Sequence, residues 1–230
     1  MKIGGFQKTT LLDFPDKVSA IIWTIDCNFR CPFCYNKNLV FGEANSISEV
    51  EVLSFLKERK GLLEGLVVSG GEPLLQEDLI NFTNKVKKLG YLIKIDTNGT
   101  FPNRLKELIN YKLIDYVSMD IKAPKKKYDQ LAGVKTDLSK IEESIDLIKN
   151  HASDYEFKTT FAPRLLYKED IIEIAKWLEG SERFYLQQFK NITPLVSSKF
   201  DNVAPYPREY FIETLDLVKP FIKNCYVRGV

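Results

Sequence analysis

The chain has 230 residues, 44% of them apolar and 28% charged, which is enough for a sizeable core and argues against bulk disorder. Its 33 Lys and Arg against 31 Asp and Glu leave a net charge of +2, so nucleic-acid binding by charge alone is not expected. Apolar runs such as residues 20–23 fall well short of the ~20 residues of a membrane span, and no apolar signal region opens the chain. It therefore reads as cytosolic, with no membrane partner.

In chain order, residues 4–12 read as an N-terminal extension suited to a hairpin. Residues 18–25, rich in Val and Ile, read as a buried strand. A loop with three cysteines follows. Residues 48–60 read as a helix, with Ser48 as N-cap and Glu51 three residues later as in a capping box. Then come a strand at 65–68 and a helix at 76–89 that Gly90 ends. Strand 91–95, helix 103–110, strand 116–121, helix 138–149, strand 155–161, helix 169–178 and strand 184–188 continue the alternation. A proline-bearing loop, 189–207, leads to a last helix at 209–218, and 225–227 reads as a short closing strand.

Six strand–helix pairs predict parallel strands joined by right-handed crossovers, an α/β fold. Six units are fewer than the eight of a closed barrel, which leaves an open partial barrel or a doubly wound sheet. The expected organisation is a single domain: extension 1–17, six units over 18–190, and a C-terminal loop, helix and strand over 191–230.

Active sites of parallel βα folds lie at the carboxyl ends of the strands. Cys27, Cys31 and Cys34 follow the first strand with the spacing C-x3-C-x2-C. Three soft thiolates on one tight loop suit an iron–sulfur cluster. On spacing alone they suit equally a structural zinc completed by Cys225 or His151, the only histidine. A four-iron cubane on three cysteines would keep one iron open.

Gly70-Gly71-Glu72 follows the second strand, where glycines let backbone approach a ligand, or simply make a turn before Pro73. Asp96-Thr97-Asn98-Gly99 taken alone reads as a turn. Asp120 and Lys122 place opposite charges on one strand face, as a surface ion pair also would. Lys158 and Arg164 suit either a carboxylate ligand or solvent. Lys125-Lys126-Lys127 reads as a solvated loop or a surface for an acidic partner, and His151 as a helix-end charge.

The joint pattern of Cys27-x3-Cys31-x2-Cys34 after the first strand and Gly70-Gly71-Glu72 after the second closely resembles the radical S-adenosylmethionine (SAM) superfamily. The opening segment 4–15, the cysteine loop 27–36, Asp96-Thr97-Asn98-Gly99, Asp120-Ile121-Lys122-Ala123-Pro124 and the final Val227-Arg228-Gly229 resemble the anaerobic ribonucleoside-triphosphate reductase activating proteins, a family of glycyl-radical enzyme activases.

The resemblance implies a partial (βα)6 barrel of TIM type. It implies that Cys27, Cys31 and Cys34 hold a 4Fe–4S cluster whose open iron is chelated by the amino and carboxylate groups of SAM. Phe33 and Tyr35 would border the adenine. The backbone of Gly70, Gly71 and Glu72 would accept hydrogen bonds from the methionine amino group, with Asp96 a further cofactor contact. Asp120 and Lys122 match a D-x-K pair that contacts the ribose and methionyl parts. Gln188 stands where related activases have His, and Tyr35 where many have His.

The implied reaction is reductive cleavage of SAM to a 5′-deoxyadenosyl radical, which abstracts hydrogen from a glycine of a partner reductase. The electron donor would be a flavodoxin or ferredoxin. Two other readings compete: a radical enzyme acting on a small molecule or RNA, and a zinc-stabilised binding module.

Overall fold

Short runs of branched apolar residues set most of the strands, and in the computed structural model, which describes residues 1–230, they join one eight-stranded sheet. β1 (Ile3–Thr10) pairs antiparallel with β2 (Ser19–Thr24), the hairpin expected of the N-terminal extension. The next six strands all run parallel to their neighbours: β3 (Gly65–Gly70), β4 (Leu92–Thr97), β5 (Tyr116–Asp120), β6 (Tyr155–Phe161), β7 (Arg183–Gln188) and β8 (Asn224–Arg228).

Helices fill the crossovers in chain order: α1 (Lys37–Val40) and α2 (Glu49–Glu58), then α3 (Leu79–Lys88), α4 (Pro102–Asn110), α5 (Tyr128–Ala132) with α6 (Leu138–His151), α7 (Lys168–Trp177) and α8 (Arg208–Val218). Six βα units thus run from β2, the hairpin's second strand, to α8, and β8 closes the series.

Spatial order equals chain order, β1 to β8. A doubly wound sheet must reverse direction at a switch point; this one never does. Right-handed crossovers that always step the same way put every helix on one face, so the sheet curls around the other. β1 and β8 are the two edges, which leaves the barrel open along one side.

Alternation along each strand divides the two faces. Ala20, Ile22, Leu66, Val68, Ile93, Ile95, Val117, Phe157, Phe184 and Leu186 belong to one continuous apolar cluster under the helices. The inner face has a small apolar plug of Phe14, Ile21, Val67 and Tyr116. Above it the inward positions turn polar: Lys94 and Asp96 on β4, Asp120 on β5, Glu156 and Lys158 on β6, and Arg228 on β8. Glu156 is fully buried and accepts from Ser118 Oγ (2.8 Å) and Tyr116 OH (3.1 Å). Arg228 bonds both of its carboxylate oxygens, at 2.8 and 3.0 Å, and lies 4.0 Å from the Tyr185 ring centre. This pair fastens the closing strand across β7 to β6.

Several local expectations shift. Ser48 caps α2 through a bond from Val50 N at 3.2 Å, without the reciprocal bond expected of Glu51. α3 starts at Leu79 and not at 76, because Pro73–Leu75 form a 3-10 turn and the buried Gln76 amide donates to Ile25 O at 2.7 Å. No helix is long and apolar enough to cross a membrane. His151 ends α6, exposed, as read from the sequence.

Candidate active site

The carboxyl ends of the strands surround a cavity of about 250 Å³. Cys27, Cys31, Phe33, Cys34, Tyr35, Gly70, Gly71, Asp96, Asp120, Lys122 and Gln188 all line it. Glu72 does not.

The cysteine loop is held from three directions. Asn28 Nδ2 donates to Thr100 Oγ1 and Asn98 Nδ2 to Asn28 Oδ1, both at 2.8 Å, which ties it to the end of β4. Arg30 N donates to Ala132 O at 2.7 Å, and Gly133, at φ +69, lets the end of α5 turn against the Arg30 carbonyl, where a Cβ would collide. From the long C-terminal loop, Val196 N donates to Cys34 O (2.9 Å) and Ser197 N to Pro32 O (3.0 Å). Asp96-Thr97-Asn98-Gly99 is therefore no isolated turn but a brace for the cysteines.

The two glycines at the end of β3, Gly70 within it and Gly71 just past it, serve the sheet itself. A Cβ on Gly70, at φ +121, would strike Thr24 backbone, and one on Gly71 would strike the Asp26 carbonyl. Gly71 N and Glu72 N are spent on Thr24 O and Asp26 O, both at 2.9 Å. Carbonyls are what this segment can offer a ligand. The Glu72 side chain is fully buried and accepts from Leu74 N (3.0 Å), Thr97 Oγ1 (2.7 Å) and Asn98 N (2.7 Å).

Burial pushes the Glu72 carboxyl up to about 7, against these three bonds, from an ordinary 4.5. A raised carboxyl favours the fold while protonated. The apoprotein should therefore lose up to about 3 kcal/mol of stability as pH rises from 4.5 to 7. Glu72→Gln should flatten that slope, at the cost of the Asn98 bond. Urea unfolding of both proteins across this range checks it; equal slopes would refute the assignment.

Charge in the cavity forms a ladder. Lys94 Nζ lies 2.5 Å from Asp96, Lys158 Nζ 3.5 Å from Asp96 and 3.7 Å from Asp120, and Lys122 Nζ 3.3 Å from Asp120. Burial opposes ionisation of Asp96, yet Lys158 and Lys94 together hold it well below the usual carboxylate range. Burial likewise opposes the charge on Lys122, and Asp120 and the thiols outweigh it. Asp120 and Lys122 are thus an interior pair and not a surface one. Lys158 is inside, whereas Arg164 is exposed and outside. Lys94 and Arg228 also line the cavity, and sequence reasoning missed both. The signal for Lys94 was its place two residues before Asp96 in an otherwise apolar strand.

The lysine run 125–127 is neutralised by Glu142, Glu173 and Asp170 from helices α6 and α7, so it offers little to an acidic partner.

The donor set fits a cluster. Burial pushes the Cys27 thiol up to about 11 and the Cys31 thiol to about 12, and raises Cys34; Lys122 opposes the rise at all three. Thiolates here need more positive charge than one lysine provides, which bound iron supplies. No three Cys, His, Asp or Glu side chains gather at the spacing of a single bound ion. Cys225 opposes Phe184 near the amino end of β7, at the far end of the sheet from the cysteine loop. The cavity also holds an unmet acceptor suited to a bound donor: Gln188 Nε2 donates to Tyr206 O at 2.7 Å, while its Oε1 is buried without a partner.

Comparison with known proteins agrees. The family model "Radical SAM superfamily" matches residues 21–178. A Methanocaldococcus jannaschii protein provisionally named a glycyl-radical enzyme activating enzyme is 33% identical, over 99% of this chain and 96% of its own. A 7-carboxy-7-deazaguanine synthase of Thermoplasma acidophilum is 31% identical, over 67% of this chain and 77% of its own. Among solved structures, Streptococcus suis SuiB bound to precursor peptide SuiA superposes with a TM-score of 0.70 at 16% identity. That match covers 90% of this chain and 47% of SuiB, so the chain spans about half of that neighbour. Fold, cavity and family model converge, and the chain belongs to the radical SAM superfamily.

Proposed function

We propose that this radical SAM enzyme is a glycyl-radical enzyme activase that acts on a partner reductase, an anaerobic ribonucleoside-triphosphate reductase. The observation that carries the reading is the near end-to-end match to the M. jannaschii activating-enzyme relative. The barrel's open side, between β1 and β8, suits a substrate that is itself a protein.

Superfamily membership implies a 4Fe–4S cluster and SAM. Cys27, Cys31 and Cys34 would hold the cluster, with one iron free for SAM. When bound, the pair supplies an electron to the SAM sulfonium and a carbon-centred radical for hydrogen abstraction. The protein's own residues bind and orient. Phe33 and Tyr35 border the adenine. Carbonyls of the Gly70-Gly71-Glu72 segment receive the methionine amino group. Asp120 takes ribose hydroxyls, Lys122 faces the methionyl carboxylate, and Asp96 and the free Oε1 of Gln188 accept from remaining donors. Glycine suits the abstraction, since no side chain covers its Cα. A flavodoxin or ferredoxin would deliver the electron.

The test is anaerobic incubation of the reconstituted protein with reductant, SAM and the large subunit of an anaerobic ribonucleotide reductase. A glycyl-radical doublet in the electron paramagnetic resonance spectrum is expected. A second reading, radical chemistry on a small molecule, is favoured by the 31% identity to the deazaguanine synthase. Formation of a carboxylated deazaguanine with no doublet would select it. Superfamily membership sets aside the zinc-stabilised binding module.

A further inference from the structure

One cation in the cavity serves two carboxylates and closes fully on neither. Lys158 reaches inward from β6 with its side chain only 11% exposed. Its ammonium lies 3.5 Å from Asp96 Oδ1 and 3.7 Å from Asp120 Oδ2, while Lys94 and Lys122 each stand on one carboxylate alone. β6 neighbours β5 but not β4, so Lys158 spans the barrel interior to reach Asp96. Two carboxylates in one poorly solvated cavity repel each other. Without a charge between them that repulsion is unopposed: Asp120 is free to close its 3.3 Å gap to Lys122, and Asp96 is left to Lys94, already 2.5 Å away, so both turn from the cavity centre.

We infer that Lys158 is a positioning residue, the shared counter-ion that offsets the repulsion between Asp96 and Asp120 and keeps both turned toward the cavity centre, at the geometry in which both face SAM. The inference rests on the reading that these two carboxylates contact SAM. It gives β6 a role in cofactor binding through the carboxylates of its neighbours and not through direct contact of Lys158 with a ligand.

SAM binding to the anaerobically reconstituted, cluster-loaded protein, measured by calorimetry, tests it on five proteins: wild type, Lys158→Met, Asp96→Asn, the double variant and Lys158→Arg. Iron content and melting temperature are followed in each. If Lys158→Met fails to hold the cluster, Lys158→Gln replaces it. Each single loss of charge is expected to weaken binding about tenfold, a loss typical of one charge-assisted contact. The double variant should lose clearly less than the product of the single losses, because Lys158 acts partly through Asp96. Lys158→Arg should bind within about threefold of wild type. Unchanged affinity in Lys158→Met, fully multiplicative losses, or failure of arginine to rescue would each overturn the role of Lys158. Unchanged affinity in Asp96→Asn would instead overturn the placement of Asp96 at the SAM site, and the inference with it.

Discussion

Cys31→Ala is expected to come out of anaerobic reconstitution without its cluster, nearly all of the roughly four irons per chain lost. Of the three cysteines, Cys31 is the buried one, and burial pushes its thiol up to about 12, higher than Cys27 at about 11. Such a thiol gives up its proton only to a strongly bound metal, so iron binding and proton release are linked there. Alanine removes the ligand. Cys225, at the other end of the sheet, cannot replace it. The fold should survive, because the loop is braced through Asn28, Arg30 and the carbonyls of Pro32 and Cys34, not through the thiol. Iron analysis and the cluster's visible absorption decide the matter. Full iron content in Cys31→Ala would remove it from the ligand set.

Asp120→Ala should keep the cluster and weaken SAM binding by roughly ten- to a hundredfold, the range for losing one charge-assisted hydrogen bond of about 1.5–3 kcal/mol. The substitution also strips Lys122 and Lys158 of a shared anion. Two ammonium groups then face a cationic sulfonium with less to offset them, which adds to the loss. Calorimetry on the loaded protein measures it. Affinity equal to wild type would exclude Asp120 from the site.

Much of this architecture was legible in the sequence, for a physical reason. Parallel strands buried on both faces tend to be continuous apolar runs, as in Ala20-Ile21-Ile22-Trp23 of β2 and Leu66-Val67-Val68 of β3, whereas Tyr155–Phe161, whose expected range matches end to end, sets aromatic residues facing the helices against polar ones facing inward. Strands β3 and β4 were read two residues short, at 68 and 95. Their apolar signal stops where inward positions turn polar at the site: Ser69 on β3 and Asp96 on β4. The four- and five-residue helices α1 and α5 are barely more than one turn, too short for an apolar spacing to repeat, and the sequence does not mark them.

At the site, the cysteines and Asp120-x-Lys122 stood out because their spacing is local. Lys94 did not, Arg228 entered only as part of the terminal Val227-Arg228-Gly229 motif, and Lys158 stayed open between a carboxylate ligand and solvent. A lysine in a strand reads as solvated until the acid it meets is known, and Asp96, Asp120 and Glu156 lie on other strands or reach it only through the curl of the sheet. The same non-locality hid the neutralisation of the lysine run 125–127 and the packing of the loop at 196–197 against the cysteines.

The most direct test of the central claim is anaerobic and needs no partner. The reconstituted protein is given a strong reductant and SAM, and 5′-deoxyadenosine is quantified. The account predicts product that requires Cys27, Cys31 and Cys34 and falls in Asp120→Ala as SAM binding falls. A protein loaded with four irons that binds SAM and yields no 5′-deoxyadenosine, alone or with the reductase, would contradict it.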